Sequence, residues 1–292
     1  MKKQLLETKN RKFRELDSLI KKVSTTDSTV LVTGESGTGK SFLANKIHEL
    51  SNRSKRKFFT INCAAIPDQL LESELFGHVK GSFTGAISDK VGKFQVADGG
   101  TVFLDEIGEI SPRFQAALLR FLQEKEFERV GGISPIKVDV RIIAATNRNL
   151  IEQVKSRQFR EDLFYRLNII RIELPPLRER PEDVLGLALE FLSKSLSSLG
   201  KKVDLIEPGF DDCIQGYSWP GNIRELKNAM ERVAILCDSE VQSSLLPKEV
   251  LIESSPSSED KQSSSIEAEE QKSPGGKEKF LSLERIEKRH IE

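Results

Sequence analysis

Between residues 29 and 174, short apolar or β-branched runs alternate with longer stretches of helical periodicity. Five of the runs, 29–33, 58–61, 102–104, 138–145 and 169–174, read as buried strands. They are continuous rather than alternating, as strands covered on both faces are, so they predict a five-stranded parallel sheet flanked by helices. Residues 42–48 continue as a helix out of a glycine-rich segment. Residues 115–127 predict an amphipathic helix with Leu118, Leu119 and Leu122 inward. Upstream, Phe13, Leu16, Leu19, Ile20 and Val23 recur at helical spacing, with Leu5 and Leu6 ahead of them.

After Pro175-Pro176 the strand signal stops. Segments 183–199 and 223–237 read as helices with no strand between them, which predicts a small helical domain over 176–250. Residues 251–280 are rich in Ser, Glu and Lys and include Pro256, Pro274 and Gly275-Gly276; such a composition buries too little apolar surface to order itself and reads as a linker. Leu281, Leu283, Ile286 and Ile291 then restart an amphipathic pattern. The expected organisation is a helical lead-in at 1–28, an α/β domain at 29–175, a helical domain at 176–250, a linker at 251–280, and the start of a further helix at 281–292.

Composition narrows the class. The 292 residues carry 45 basic and 45 acidic side chains, so no global charge draws the chain to nucleic acid. Cys63, Cys213 and Cys237 are far apart with no CxxC pair, which suits reduced thiols better than a disulfide frame or a zinc site. The histidines show no HExxH spacing. The charged N-terminus has no secretion-signal pattern, and no run approaches the ~18 apolar residues of a membrane span. A cytoplasmic protein without a membrane partner is expected.

The candidate chemistry lies at the carboxyl ends of the predicted strands. Gly34-Glu35-Ser36-Gly37-Thr38-Gly39-Lys40-Ser41 fits the phosphate-loop pattern between a strand and a helix. There, backbone N–H groups and a helix start favour phosphate, Lys40 can reach the β- and γ-phosphates, and Ser41 can ligate magnesium. Asp105-Glu106 ends the strand at 102–104. Asp105 would orient magnesium through water, and Glu106 would polarise an attacking water; for one of the two, a helix-capping role is the alternative. Thr146-Asn147 ends another strand, where a polar side chain can meet the γ-phosphate, although Thr-Asn also starts turns. ATP and Mg²⁺ are the implied cofactors.

Three arginines are less specific. Arg160 and Arg166 flank Glu161 and Asp162, and residue type alone favours a solvated helix face. Arg224 follows the turn Trp219-Pro220-Gly221-Asn222, with Asn222 the expected N-cap. A cation in a first helical turn opposes the dipole, and a nearby phosphate would account for it. The hexapeptide Gly81-Ser82-Phe83-Thr84-Gly85-Ala86 places an aromatic and a threonine between glycines without apolar periodicity, which predicts an exposed contact tip.

Together these pieces resemble the central AAA+ domain of the activators of sigma-54 RNA polymerase, the bacterial enhancer-binding proteins, whose hexapeptide usually reads GAFTGA. The similarity runs from about Thr29 to Leu246. It includes Asn62-Cys63-Ala64-Ala65, Glu74-Leu75-Phe76-Gly77-His78 and the segments 97–108, 126–132, 144–148, 159–167, 174–180 and 219–226. The resemblance implies a P-loop ATPase with a C-terminal lid. Its active form would be a ring, typically a hexamer, in which Arg160 and Arg166 reach the neighbour's nucleotide. Asn62 would restrain Glu106, Asn147 and Arg224 would be the first and second sensors, and residues 128–135 would form a second loop moving with the hexapeptide. Gly81 to Ala86 would contact sigma-54 in the holoenzyme, and DNA would be touched only indirectly. Two departures stand out: Ser82 replaces the usual alanine, and Ser41 stands where many members have glutamate. Within these residues neither a receiver domain nor the family's helix-turn-helix is expected, so these residues are expected to show weak or no sequence-specific DNA binding. The rival readings are an AAA+ unfoldase or loader, which lacks the hexapeptide, and a nucleotide-binding regulator without turnover, against which the intact acid pair argues.

Overall fold

The computed structural model describes residues 11–203 and 205–253. The chain divides into two compact units after Pro176. The first begins with α1 (Arg11–Ser24), β1 (Val30–Thr33), α2 (Lys40–Glu49), β2 (Phe58–Asn62) and α3 (Asp68–Phe76). It continues with β3 (Gly77–His78), β4 (Lys90–Val91), α4 (Lys93–Val96), β5 (Thr101–Asp105), α5 (Pro112–Glu124), β6 (Glu126–Phe127) and β7 (Ile136–Lys137). It ends with β8 (Arg141–Thr146), α6 (Leu150–Lys155), α7 (Glu161–Leu167) and β9 (Ile170–Glu173).

The five predicted strands form one parallel sheet in the order β2-β5-β8-β1-β9. Alternate residues feed opposite cores. Leu31, Val102, Leu104, Ile142 and Ala144 join a cluster with Phe76, Phe94, Phe114 and Phe121, where the Phe94 and Phe121 rings stack at 4.1 Å. Val30, Val32, Phe103, Ile143 and Ala145 face Ile20, Val23, Leu43 and Ile47. The N-terminal helix therefore packs into this unit through Ile20 and Val23, whereas Leu19, expected on the same face, is 36% exposed.

Two expected boundaries move for identifiable reasons. Residues 138–140 are not strand. The N–H of Val138 donates to the Lys125 carbonyl, and the Asp139 carbonyl accepts from Gly99 and from Arg53. The helix expected over 115–127 spans 112–124 instead. Ser111 caps its start and Lys125, at φ 57°, ends it, after which Phe127 enters an antiparallel pair with Ile136.

Beneath the amino ends of the strands lies a network of buried cations. Arg141, in β8, donates to the Val23 and Ser24 carbonyls at 2.9 and 3.0 Å, which ties the end of α1 to the sheet. Arg53 donates to Asp27 at 2.8 Å and to both carboxylate oxygens of Asp139 at 2.9 Å.

In the second unit, α8 (Pro181–Ser198) and α10 (Asn222–Leu236) form a helical core with α9 (Phe210–Gly216) and α11 (Lys248–Glu253). Contrary to expectation it contains strands: β10 (Leu205–Ile206) and β11 (Glu240–Val241) pair in parallel. Two residues are too few for a period to show. Helix α11 also takes in the first residues of the expected linker; 254–280, 281–292 and the residues Leu5 and Leu6 lie outside the described part.

Asn222 does not serve as a capping residue. Its side chain is fully buried and its Oδ1 accepts from the Leu177 N–H at 2.7 Å, while Gly221 takes the N-cap position and donates its N–H to Glu225 at 2.7 Å. Asn222 adopts φ 55°, which asparagine tolerates better than most residues.

The Arg53 hydrogen bond holds the Asp27 carboxyl below its ordinary range. A carboxylate lowered in this way adds stability above its unfolded value, about pH 4, and loses it as pH falls through the folded value. Asp27→Asn is therefore expected to unfold at lower urea than wild type at pH 7, with the two midpoints converging as pH falls below about 4. Equal midpoints at pH 7 would show that the pair adds nothing to folding.

Candidate functional site

Strand β1 delivers Gly34 to Ser41 at the carboxyl edge of the sheet. Gly39 forms the N-cap of α2 at φ 101°, a conformation that L side chains rarely adopt, and α2 has no side-chain cap. Its first N–H groups are thus left to the loop, as in anion-binding helix starts. Lys40 is buried, with Nζ 3.0 Å from the carbonyls of Gly34 and Glu35, and Thr38 Oγ1 donates to the Glu35 carbonyl at 2.9 Å. Ser36 is exposed, and Gly37 completes the turn.

Ser41 Oγ donates to Asp105 Oδ2 at 3.1 Å, which joins the phosphate loop to the end of β5. A hydroxyl beside a carboxylate is a hard-oxygen pair, the donor type that suits Mg²⁺, an ion that keeps several of its waters. Among the described residues, no group of three or more His, Cys, Asp or Glu could hold a metal ion. Glu106 adopts the left-handed conformation, φ 54° and ψ 47°, which is costly for a side chain with a Cβ. The turn sends its carboxylate toward β8, where Oε2 accepts from the Asn147 N–H at 3.3 Å. Gly108 closes this turn against Thr146, since a Cβ there would lie 2.9 Å from Thr146 Oγ1.

Asn62 pairs with Asp105 across β2 and β5, and its Oδ1 accepts from the Ala64 N–H at 3.0 Å. Next to it, Cys63 is buried, and that burial pushes its thiol up to about 12, so it stays neutral. All three cysteines are free. A cavity of about 290 Å³ lies beside these strand ends, lined by Thr33, Gly34, Glu35, Asn147 and Arg171 among others.

Arg160 and Arg166 sit at the two ends of α7, both exposed. Arg160 grips Asp162 through two hydrogen bonds of 3.0 and 2.7 Å, the solvated pairing expected from residue type. Its backbone is fixed by Gln115, which was not expected to matter. Gln115 is buried, accepts from the Arg160 N–H at 2.8 Å and donates to the carbonyls of Ile110 and Gln158. The available signal was a glutamine on the apolar face of α5, in line with Leu118, Leu119 and Leu122. The ion pair between Arg148 and Glu109 beside the site likewise left no mark in the motifs. Arg224 is exposed in the first turn of α10, in the second unit.

The hexapeptide leaves the sheet through α3 and β3 and returns through β4. Its turn is closed by the Gly81 N–H donating to the Ala86 carbonyl at 2.9 Å and the Ala86 N–H to the Phe83 carbonyl at 3.0 Å. Thr84 and Gly85 are exposed as expected; Phe83 is not. It is half-buried, edge-on to the His78 ring at 5.0 Å, and Ala86 is buried. An aromatic in a loop this short finds a neighbouring ring before it finds water. Residues 128–135 form the loop between β6 and β7 and lie against the hexapeptide. Val79 donates to the Val130 carbonyl at 3.1 Å, and a Cβ on Gly131, at φ 76°, would sit 2.6 Å from Ser82 Cβ.

Residues 6–173 match the model of the Sigma-54 interaction domain. The chain belongs to that family. Residues 178–264 match an AAA+ ATPase lid domain, so the fold is an AAA+ P-loop NTPase with a helical lid. This Sigma-54 interaction domain is 55% identical over 229 residues to the nitrogen fixation protein AnfA of Azotobacter vinelandii, covering 78% of this chain and 43% of that protein. It is 56% identical over 227 residues to the Nif-specific regulatory protein of Klebsiella pneumoniae, with 78% and 43% covered. The chain thus spans less than half the length of these curated relatives. Among solved structures it resembles NtrX from Brucella abortus in complex with ADP, at TM-score 0.78 and 36% identity, covering 87% of this chain and 58% of that one. The ATP complex of NtrX gives TM-score 0.78 at 36% identity, with 88% and 57% covered. Among the described residues, no helix is long and apolar enough to cross a membrane.

If the phosphate loop holds ATP, Lys40→Ala removes a charged hydrogen-bond donor and should weaken binding about 10- to 100-fold. Titration with a fluorescent ATP analogue measures it. Undiminished affinity would place the nucleotide elsewhere.

Proposed function

We propose that this chain is the ATP-hydrolysing module of a transcription activator that remodels sigma-54 RNA polymerase holoenzyme and so drives promoter opening. The observation that carries the reading is one connected path. The acid pair Asp105-Glu106 adjoins Asn62 at the end of β2, and β2 leads through α3, nine residues long, to β3 and the hexapeptide. A nucleotide-dependent change at the strand ends therefore has a short helix through which to reach Gly81 to Ala86.

In this reading Lys40 and the N–H groups of residues 34–41 hold the phosphates, while Ser41 and Asp105 hold magnesium partly through water. Bound Mg-ATP supplies the phosphoryl group and the charge that these residues neutralise. Glu106, aimed by its left-handed backbone, takes the proton of the attacking water. Asn147 senses the γ-phosphate, and Asn62 exchanges its Ala64 bond for a bond to Glu106 when the glutamate must be restrained. Arg160 and Arg166, exposed on α7, suit a ring in which each serves the neighbouring copy, and an arginine supplied this way is worth ~10³–10⁵ in rate in related NTPases. Arg160 must then leave Asp162. Arg224, exposed in the first turn of α10, is read as the second sensor. Sigma-54 meets the hexapeptide, and the setting is the cytoplasm.

Two substitutions separate the roles. Glu106→Gln is expected to bind ATP normally but hydrolyse it at least about 100-fold more slowly, the range of a lost general base, as read by phosphate release. Unchanged turnover would remove Glu106 from that role. Thr84→Ala should keep hydrolysis yet lose the complex with sigma-54 formed in ADP and metal fluoride, followed by native gel shift. A complex retained by Thr84→Ala would sink the hexapeptide contact.

A further inference from the structure

Phe83 rests on a prepared support. His78 is only 9% exposed, and its Nδ1 shares a 2.7 Å hydrogen bond with Ser73 Oγ from α3. Its ring stands at 70° to that of Phe83 with centroids 5.0 Å apart. The backbone of His78 is pinned on two sides, by pairing with Lys90 in β4 and by a bridge to Val130 in the second loop. An edge-to-face contact depends on the plane of the ring, so the Ser73 bond, which sets that plane, also sets the seat for Phe83.

We propose that His78 is the positioning residue that holds Phe83, and with it the hexapeptide loop, in a withdrawn position, so that Phe83 must leave His78 before the loop can engage sigma-54. This rests on the reading of the hexapeptide as the sigma-54 contact. The seat couples three elements. Ser73 belongs to the helix that comes from the nucleotide end of β2, His78 to the strand at the base of the loop, and Phe83 to the loop itself. A small rotation of α3 displaces Ser73 Oγ, frees the imidazole plane and weakens the contact under Phe83. No large movement of the strand is required.

The test uses the purified chain with His78→Leu, which keeps apolar bulk but loses both the aromatic ring and the Ser73 bond. A milder variant, Ser73→Ala, keeps the ring and frees its plane. Hydrogen exchange is read at the Gly81 and Ala86 amides, whose bonds close the turn, with the α5 amides as the folding control. The expected result is about tenfold faster exchange at Gly81 and Ala86 in His78→Leu, less in Ser73→Ala, and unchanged α5 protection. Binding of sigma-54 without nucleotide should rise about tenfold in His78→Leu, since the loop no longer has to be released. Unchanged loop exchange in both variants overturns the seat. Faster loop exchange with no gain in nucleotide-free sigma-54 binding overturns its restraining role. A Phe83→Ala chain that still binds sigma-54 in ADP and metal fluoride would instead refute the contact reading, while the exchange data judge the seat separately. Should His78→Leu fail to fold, Ser73→Ala carries both measurements.

Discussion

Parallel pairing in register is the constraint on which the rest of the molecule depends. Thr33 lies opposite Thr146 and Glu173, and Asn62 lies opposite Asp105. Because every strand of the sheet points the same way, each polar strand end arrives at one edge, and each connection must travel back over a face as a helix. The phosphate loop, the acid pair and Asn147 are neighbours for that reason alone. A slip of one residue in β5 would turn Phe103 into the other core and carry Asp105 away from Ser41.

The sheet was legible because its strands are buried on both sides and so stand out as unbroken apolar runs. The phosphate loop and Asp105-Glu106 were legible because their chemistry dictates residue type and spacing. What stayed hidden was set by contacts between segments distant in sequence. β10 and β11 are two-residue pairings with no period to read, and β6 was absorbed into the expected helix, which Lys125 ends. Asn222 was read from its local turn, whereas its Oδ1 accepts from the backbone N–H of Leu177, 45 residues away. Gln115 carried a visible anomaly, a polar side chain on an apolar face, but its partners come from 110, 158 and 160.

Phe83 is the most instructive of these differences. Its neighbours in sequence are small and polar, which suggested exposure, yet the ring is covered by His78 from five positions upstream. Loop composition reports how freely the backbone can bend, not what surface the bent loop will meet. The same holds for Gly131, where the second loop comes up against Ser82.

Ser82 itself carries a cost. Ser82 Oγ is buried without a hydrogen-bond partner among the described residues. A hydroxyl stripped of water and left unpaired destabilises the state that hides it by about 1–3 kcal/mol. A form of the loop that exposed Ser82, as proposed above, would recover that hydration, so water would act as its ligand. If the loop moves as proposed, this one oxygen atom would make its equilibrium sensitive to water activity.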